Sequence, residues 1–160
     1  DNYNVKDDGS MGLDRPGALP VNAVVNLCFS GKTKKEIKKL IGSEAGVYSY
    51  LGTKDFREIE RRAFSGDAEA NLIFRALAYQ LSKDAGAMAA VMHFDVDAIA
   101  LTGGMAYSER FCEEVSSYLK KLAPIYRFPG EEEMKSLAEG ALRALESGHY
   151  QLYDPKEETA

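Results

Sequence analysis

Residues 96–108, with the sequence VDAIALTGGMAYS, constrain the fold of this chain more than any other stretch. A short apolar run, residues 96–101, indicates a buried strand, with a segment of a buried helix as the alternative for a run of this length. The run stops at a threonine and two glycines, residues 102–104. Glycines at the end of a strand permit positive φ and leave backbone amides accessible. Ser108 then has the N-cap signature of a helix that begins at Glu109. This order predicts an α/β protein whose turn is either an ordinary connection or an anion-binding site at the edge of the sheet.

Composition favours one globular domain and excludes several kinds of protein. The chain has 160 residues, of which 45% are hydrophobic and 28% are charged, as is typical of folded soluble proteins. Its net charge is −5, so its composition gives no sign of a nucleic-acid footprint. No apolar run approaches the ~20 residues that cross a bilayer. We therefore expect no nucleic-acid partner, no membrane span and a cytoplasmic location.

The cysteines and histidines provide no catalytic or metal-binding pattern. Cys28 and Cys112 lie in amphipathic segments without metal-ligand spacing, and we expect both to be buried free thiols rather than a disulfide. His93 and His149 are far apart in the sequence, and neither has a visible catalytic partner.

Helical spacing of apolar residues predicts four helices before the strand, over residues 21–29, 34–41, 56–64 and 68–92. Thr33 and Glu36 form a capping-box pattern for the second helix, and Thr53 or Asp55 caps the third. Residues 46–51 alternate loosely and predict a short strand or an extended loop. The longest helix carries an apolar repeat at Leu72, Ala76, Tyr79, Ala87, Ala90 and Val91. Its alanine-rich end suggests core packing, with a subunit interface as the alternative.

After the glycine turn, the pattern predicts a helix over residues 109–122, a strand over 123–128 and a helix over 131–145. The residues of the last helix that we expect to face inward are Met134, Leu137, Ala138, Ala141, Leu142 and Leu145. Glu131, Glu132 and Glu133 open this helix, where the helix dipole stabilises negative charge. A carboxylate at this position is alternatively a ligand for a hydrated Mg²⁺.

Two loops carry candidate binding residues. Arg15, between Asp14 and Pro16, is either a solvent-exposed arginine or a phosphate ligand, since its planar fork matches phosphoryl oxygens. Asp55, Phe56 and Arg57 lie in the first turn of a helix, where they either cap and pack it or place a ring and a guanidinium next to a nucleotide base.

Four segments in this order and spacing carry a resemblance to a known family. They are RPGALP (residues 15–20), YLGTKDFREIE (50–60), LTGGMAYSE (101–109) and PGEEEMKSLAEGAL (129–142). The chain resembles the butyrate kinases, short-chain carboxylate kinases related to acetate kinase, over most of its length, but only their C-terminal part.

The resemblance implies an actin-like (ribonuclease H-like) ATPase lobe, with a mixed sheet flanked by helices. This lobe is the C-terminal half of a two-lobed kinase that binds nucleotide between its lobes. Residues 1–150 are expected to form the nucleotide-binding lobe and residues 151–160 a polar tail, with the N-terminal lobe absent.

The resemblance also implies roles for particular residues. The residues expected to contact adenosine are Gly103, Gly104 and Met105. Those expected to line the adenine and ribose pocket are Asp55, Phe56 and Arg57. Arg15 resembles the arginine that steadies the transferred phosphoryl group. Among the three acids of the last helix, Glu131 and Glu133 are favoured as the residues that hold Mg²⁺.

The implied activity is the reversible, ATP-dependent phosphorylation of a short-chain carboxylate to an acyl phosphate, with ATP or ADP and Mg²⁺ as cofactors. We expect a homo-oligomer. Because phosphoryl transfer depends on charge stabilisation from both lobes, we expect this chain alone to fold but to have little or no kinase activity. Two alternatives stay open: a sugar kinase-type member of the same superfamily, and a non-catalytic module for nucleotide binding or dimerisation.

Overall fold

The computed structural model describes residues 9–130 and 133–148, without the side chains of residues 133 and 134. Five helices precede the first strand: α1 (Val21–Cys28), α2 (Lys34–Ser43), α3 (Gly46–Leu51), α4 (Phe56–Ala63) and α5 (Ala68–Val91). They are followed by β1 (Ile99–Gly103), a 3₁₀ helix (Gly104–Tyr107), α6 (Glu109–Leu119), β2 (Ile125–Pro129) and α7 (Glu133–Ser147). The chain is therefore an α/β protein, as predicted.

The sheet within these residues consists of β1 and β2, which pair in parallel with Ile99 opposite Ile125 and Gly103 opposite Pro129. The prediction of a buried strand over residues 96–101 is only partly right. β1 begins at Ile99, and its residues alternate between half-buried and exposed, so that Ala100 and Thr102 face solvent. In β2 only Ile125 is half-buried, and the other four residues are exposed.

The core lies where α4, α5 and α6 meet, around three aromatic rings. The ring of Phe74, only 1% exposed, packs against Phe56 at a centroid distance of 5.7 Å and against Phe111 at 5.5 Å. Ile59 and Val115 are fully buried beside them. Burying each such side chain contributes about 1.5–3 kcal/mol, so this cluster fixes α4 against the two longer helices.

The boundaries of α5 match the predicted helix, but the apolar repeat marks the wrong face. Leu72 is 66% exposed, Tyr79 50% and Val91 71%. The residues of α5 in the core cluster are Ala70, Ile73, Phe74, Leu77 and Ala78. Because α5 carries apolar residues on several faces, spacing alone does not identify the face against which α4 and α6 pack.

Residues 46–51 form helix α3, so the prediction of a strand or extended loop is wrong. Val47 and Leu51 are one helical turn apart, and both are buried in the core. The backbone amides of Val47 and Tyr48 donate to carbonyls of residues 12 and 13. Tertiary contacts therefore stabilise a helix that the local sequence does not signal.

Several apolar side chains that were predicted to be buried are exposed. On α7 these include Leu137, Leu142 and Leu145. Cys28 on α1 is exposed, whereas Cys112 on α6 is buried, and both are free thiols. Periodicity identifies an apolar stripe on a helix but not whether another element covers it. Of the helices described, none has the length and apolar character to cross a membrane.

Candidate active site

A cavity of about 970 Å³ opens between three segments that are far apart in the sequence. We call them the loop wall (residues 12–15), the helix wall (residues 55–60) and the turn wall (residues 102–108). Seven of the nine predicted site residues line this cavity: Arg15, Asp55, Phe56, Arg57, Gly103, Gly104 and Met105. The other two, Glu131 and Glu133, lie outside the residues whose side chains are described.

The turn wall begins with the last two residues of β1, and its backbone lines the cavity. Gly103 has φ +84° and ψ −178°, a combination that is essentially restricted to glycine. A Cβ at Gly103 or at Gly104 would have no neighbouring atom within 4 Å, so the structure leaves room for a ligand beside the backbone. Ser108 caps α6 by accepting a hydrogen bond from the amide of Phe111 at 3.0 Å, as predicted.

β2 ends beside the turn wall. The amide of Gly103 donates to the carbonyl of Gly130 at 3.2 Å, and the amide of Gly130 donates in return to Gly103 at 3.2 Å. The hydroxyl of Thr102 also donates to the Gly130 carbonyl, at 3.3 Å. The residue that immediately precedes Glu131 is therefore fixed next to the glycine turn.

The helix wall combines capping, packing and cavity lining in the same residues. Asp55 caps α4 by accepting from the amide of Arg57 at 3.0 Å, and it also forms two 3.2 Å hydrogen bonds with the Arg57 guanidinium. These bonds lower the pKa of Asp55 and raise that of Arg57. The half-buried ring of Phe56 packs edge-to-face on Phe111, with centroids 5.1 Å apart.

The loop wall is held by backbone hydrogen bonds to the start of α3. Carbonyls of residues 12–14 accept from the amides of residues 45, 47 and 48 at 2.8–3.3 Å. Gly46 lies at the centre of this contact with φ +59°, and a Cβ there would overlap the carbonyl of Gly12. The contact therefore needs glycine at this position, and it fixes the backbone that carries Arg15.

The charges around the cavity are mixed. Arg15, whose side chain is 41% exposed, and Arg57 provide two guanidinium groups. Asp14 accepts from the ammonium of Lys54 at 3.2 Å, and its carboxylate is 4.0 Å from Arg15 Nε. Guanidinium groups suit a ligand that carries negative charge.

Glu60 is a cavity residue that the sequence analysis did not identify. It accepts a hydrogen bond from the hydroxyl of Ser108 at 2.9 Å, which joins the helix wall to the turn wall. Glu60 is one helical turn after Phe56, and this spacing places both residues on the same face of α4. The spacing is the signal that predicts its proximity to the cavity.

The cavity residues fit a metal ion that is held mainly by a bound nucleotide and by water. Within the described part of the chain, no group of three or more His, Cys, Asp or Glu side chains is arranged to bind a metal ion. Mg²⁺ typically needs only one or two carboxylates, because water and substrate phosphates supply its other ligands. The donor set is therefore compatible with a nucleotide-bound Mg²⁺.

Comparison with known proteins gives consistent matches. The model of the Acetokinase family matches residues 10–134. The chain is 45% identical over 143 residues to the "Probable butyrate kinase 2" of Caldanaerobacter subterraneus subsp. tengcongensis, covering 89% of this chain and 40% of that protein.

Solved structures show the same fold. The acetate kinase of Porphyromonas gingivalis matches with a TM-score of 0.73 and 22% identity, over 84% of this chain and 41% of that one. The acetate kinase of Entamoeba histolytica matches with a TM-score of 0.74 and 14% identity, over 84% and 43%. These matches confirm the predicted actin-like ATPase fold.

This chain spans less than half the length of each of these relatives. The family model, in contrast, covers most of the chain and includes all three walls of the cavity. The chain belongs to the acetokinase family.

Proposed function

We propose that this chain forms the nucleotide-binding part of a short-chain carboxylate kinase that phosphorylates a carboxylate such as butyrate with ATP. The observation that carries the proposal is the convergence of Arg15, residues 55–57 and residues 103–105 on one cavity. Butyrate is the favoured substrate because the relative with 45% identity is named as a probable butyrate kinase.

In this proposal the adenosine lies between the turn wall and the helix wall. Gly103 and Gly104 have no side chains, so the nucleoside approaches their backbone directly. Met105 and the ring of Phe56 supply apolar surface, and the Arg57 guanidinium lies at the exposed edge. Apolar lining with a few polar groups is typical of small-molecule pockets.

Arg15 lines the cavity from the loop wall and is proposed to contact the phosphoryl group. Its planar guanidinium offers two parallel N–H groups to phosphoryl oxygens. As the carboxylate oxygen attacks the γ-phosphorus in line and ADP departs, the charge on the phosphoryl oxygens is offset by this cation. The acyl phosphate forms as the bond from the γ-phosphorus to ADP breaks.

Glu131 and Glu133 are proposed to hold Mg²⁺ together with the nucleotide phosphates. Gly130, which precedes them, is hydrogen-bonded to the glycine turn, and this supports their proximity to the nucleotide. When bound, the ion neutralises negative charge on the phosphates.

In this proposal the chain alone binds nucleotide, but catalytic turnover needs the whole enzyme. The chain corresponds to the C-terminal lobe, over residues 1–150, of an enzyme more than twice as long, and the remaining lobe supplies further groups around the phosphates. We therefore expect the chain alone to bind ADP without catalysing transfer at an appreciable rate.

Calorimetric titration with ADP and an assay that traps acyl phosphate with hydroxylamine test this division. We expect saturable ADP binding, but almost no acyl phosphate from ATP, Mg²⁺ and butyrate. Gly104→Leu should weaken ADP binding at least about tenfold by filling the cavity, whereas Gly42→Leu on α2 serves as the matched control. Absence of ADP binding would contradict the nucleotide site, and full turnover would contradict the need for a second lobe.

A further inference from the structure

We propose that Glu60 is a positioning residue, which holds the turn wall at its distance from the helix wall by accepting the hydrogen bond of Ser108. The inference about ligand affinity rests on the proposed nucleotide function, whereas the inference about the order of the turn wall does not.

The hydrogen bond joins two segments that are 48 residues apart in the sequence. Glu60 lies in the middle of α4, and Ser108 lies at the junction between the 3₁₀ helix and α6. Ser108 is 7% exposed, and the bond of 2.9 Å is partly buried. A partly buried bond to a carboxylate is stronger than one in open solvent.

The direction of the bond is fixed by the second partner of Ser108. Its hydroxyl oxygen already accepts from the amide of Phe111 at 3.0 Å. Because a serine hydroxyl has a single proton, that proton is available to Glu60. The carboxylate therefore fixes the side-chain orientation with which Ser108 caps α6, and it fixes the end of the glycine turn with it.

Glu60 differs from the other two carboxylates that line the cavity. Asp55 pairs with Arg57 within the helix wall, so this pair does not connect the helix wall to another wall. Asp14 joins the loop wall to Lys54, but both side chains are about 40% exposed, and exposed ion pairs stabilise little. Glu60 joins two walls through a partly buried bond to a neutral donor.

Apolar packing alone does not supply this constraint. The ring of Phe56 contacts Phe111 and so also holds α4 against α6. Dispersion between rings changes gradually with small sliding motions, whereas a hydrogen bond weakens steeply as its distance and angle change. We assign the attraction between α4 and α6 to the rings, and the position of the turn wall to Glu60.

The test compares Glu60→Ala, Glu60→Gln and the control Glu113→Ala, which removes an exposed carboxylate from α6, in the isolated chain. Two properties are measured: amide hydrogen exchange of residues 103–108 without ligand, and ADP affinity by calorimetry. Glu60→Ala should accelerate exchange and weaken ADP binding, each about tenfold. Glu60→Gln keeps a carbonyl that accepts from Ser108, so both values should stay within about threefold of the original. Glu113→Ala should leave both unchanged.

A second pair of variants, in which the negative charge is moved from Glu60 to position 108, covers the case in which Glu60→Ala does not fold. Ser108→Asp keeps a side chain that caps α6 but repels Glu60, so it should reproduce the faster exchange and weaker ADP binding. Adding Glu60→Gln to Ser108→Asp supplies an amide donor for the new carboxylate, and it should restore both values.

The outcomes separate this inference from the proposed function. Unchanged exchange and affinity in Glu60→Ala would overturn the positioning role. Loss of ADP affinity in Glu60→Gln as large as in Glu60→Ala would also overturn it, because Glu60 would then act on the nucleotide through its charge. If the unaltered chain binds no ADP, the proposed function fails, and hydrogen exchange alone decides the role of Glu60.

Discussion

The turn wall and the loop wall of the cavity are built by different kinds of interaction. The turn wall is formed by consecutive residues, since β1, two glycines and the Ser108 cap follow one another directly. The loop wall has no regular secondary structure and is held by backbone hydrogen bonds to α3. One wall of a site can therefore be recognised from local sequence, while another wall depends on contacts made elsewhere in the fold.

The loop wall is also preceded by a residue that is hydrogen-bonded to α5. The amide of Met11 donates to the side-chain carbonyl of Gln80 at 2.9 Å, across 69 residues of sequence. Gly17 has φ +69°, and a Cβ there would collide with the backbone at residues 9–11. The loop is therefore shaped by close backbone contacts that only glycine allows.

Gly46→Ala should break the loop wall and produce the largest loss of stability. The added methyl group overlaps the carbonyl of Gly12, and the residue must also keep φ at +59°. We expect a loss of about 3–4 kcal/mol in the free energy of unfolding, measured by urea denaturation.

Gly52→Ala is the matched control for backbone strain. Gly52 has φ +69°, but its Cβ would meet no atom within 4 Å, so the expected loss is only about 1 kcal/mol. Equal losses in the two variants would show that the close contact with the loop wall contributes nothing.

Ser108→Ala should weaken the turn wall by a smaller amount. It removes the cap of α6 and the hydrogen bond to Glu60, with an expected loss of about 1–2 kcal/mol in urea denaturation. The control is Ser117→Ala on the same helix, whose exposed hydroxyl donates only to the carbonyl of Glu114. A similar change in both variants would argue against a special role for the cap.

The free energy of unfolding should depend modestly on pH, because the cap of α5 is a carboxylate. The amide of Ala70 and the guanidinium of Arg62 lower the pKa of Asp67, which caps α5. Because the folded pKa lies below the unfolded value of about 3.9, this contribution is complete above about pH 5 and is lost as the pH falls through the folded pKa.

Asp67→Asn keeps a capping oxygen but does not titrate. Its unfolding free energy should therefore decrease less than that of the original chain when the pH falls from about 5 to about 3. Urea denaturation at both pH values measures the difference. Parallel losses in the two proteins would assign the acid sensitivity to other groups.

The smallest expected effect concerns the reactivity of the Cys112 thiol, which reagents reach only when the turn wall opens. The buried Cys112 lies behind this wall, and its thiol donates to the carbonyl of Ala106 at 3.7 Å. Burial raises the pKa of Cys112, so it should react with a disulfide reagent much more slowly than the exposed Cys28.

Bound ADP should slow the reaction of Cys112 further and leave that of Cys28 unchanged. Variants with a single cysteine, Cys28→Ser and Cys112→Ser, separate the two rates. Equal rates for both thiols would mean that the turn wall opens freely in solution.

The parts of the site that the sequence predicts are those with local signals. The caps at Asp55 and Ser108 and the glycine turn are formed by neighbouring residues, so propensity and spacing identify them. α3 was missed because its buried pair, Val47 and Leu51, is specified by the core. The spacing of Glu60 from Phe56 indicates that Glu60 lies beside the cavity, but its hydrogen bond to Ser108 spans 48 residues and has no signal in the sequence.

The central claim, that the three walls form one nucleotide site, is tested most directly by titrating the ¹⁵N-labelled chain with ADP and following its backbone amides by NMR. We predict saturable shifts in residues 12–15, 55–57 and 103–105, with α1 and α2 unchanged. Shifts confined to one wall or to the outer face of α5, or no shifts at saturating ADP, would contradict the claim.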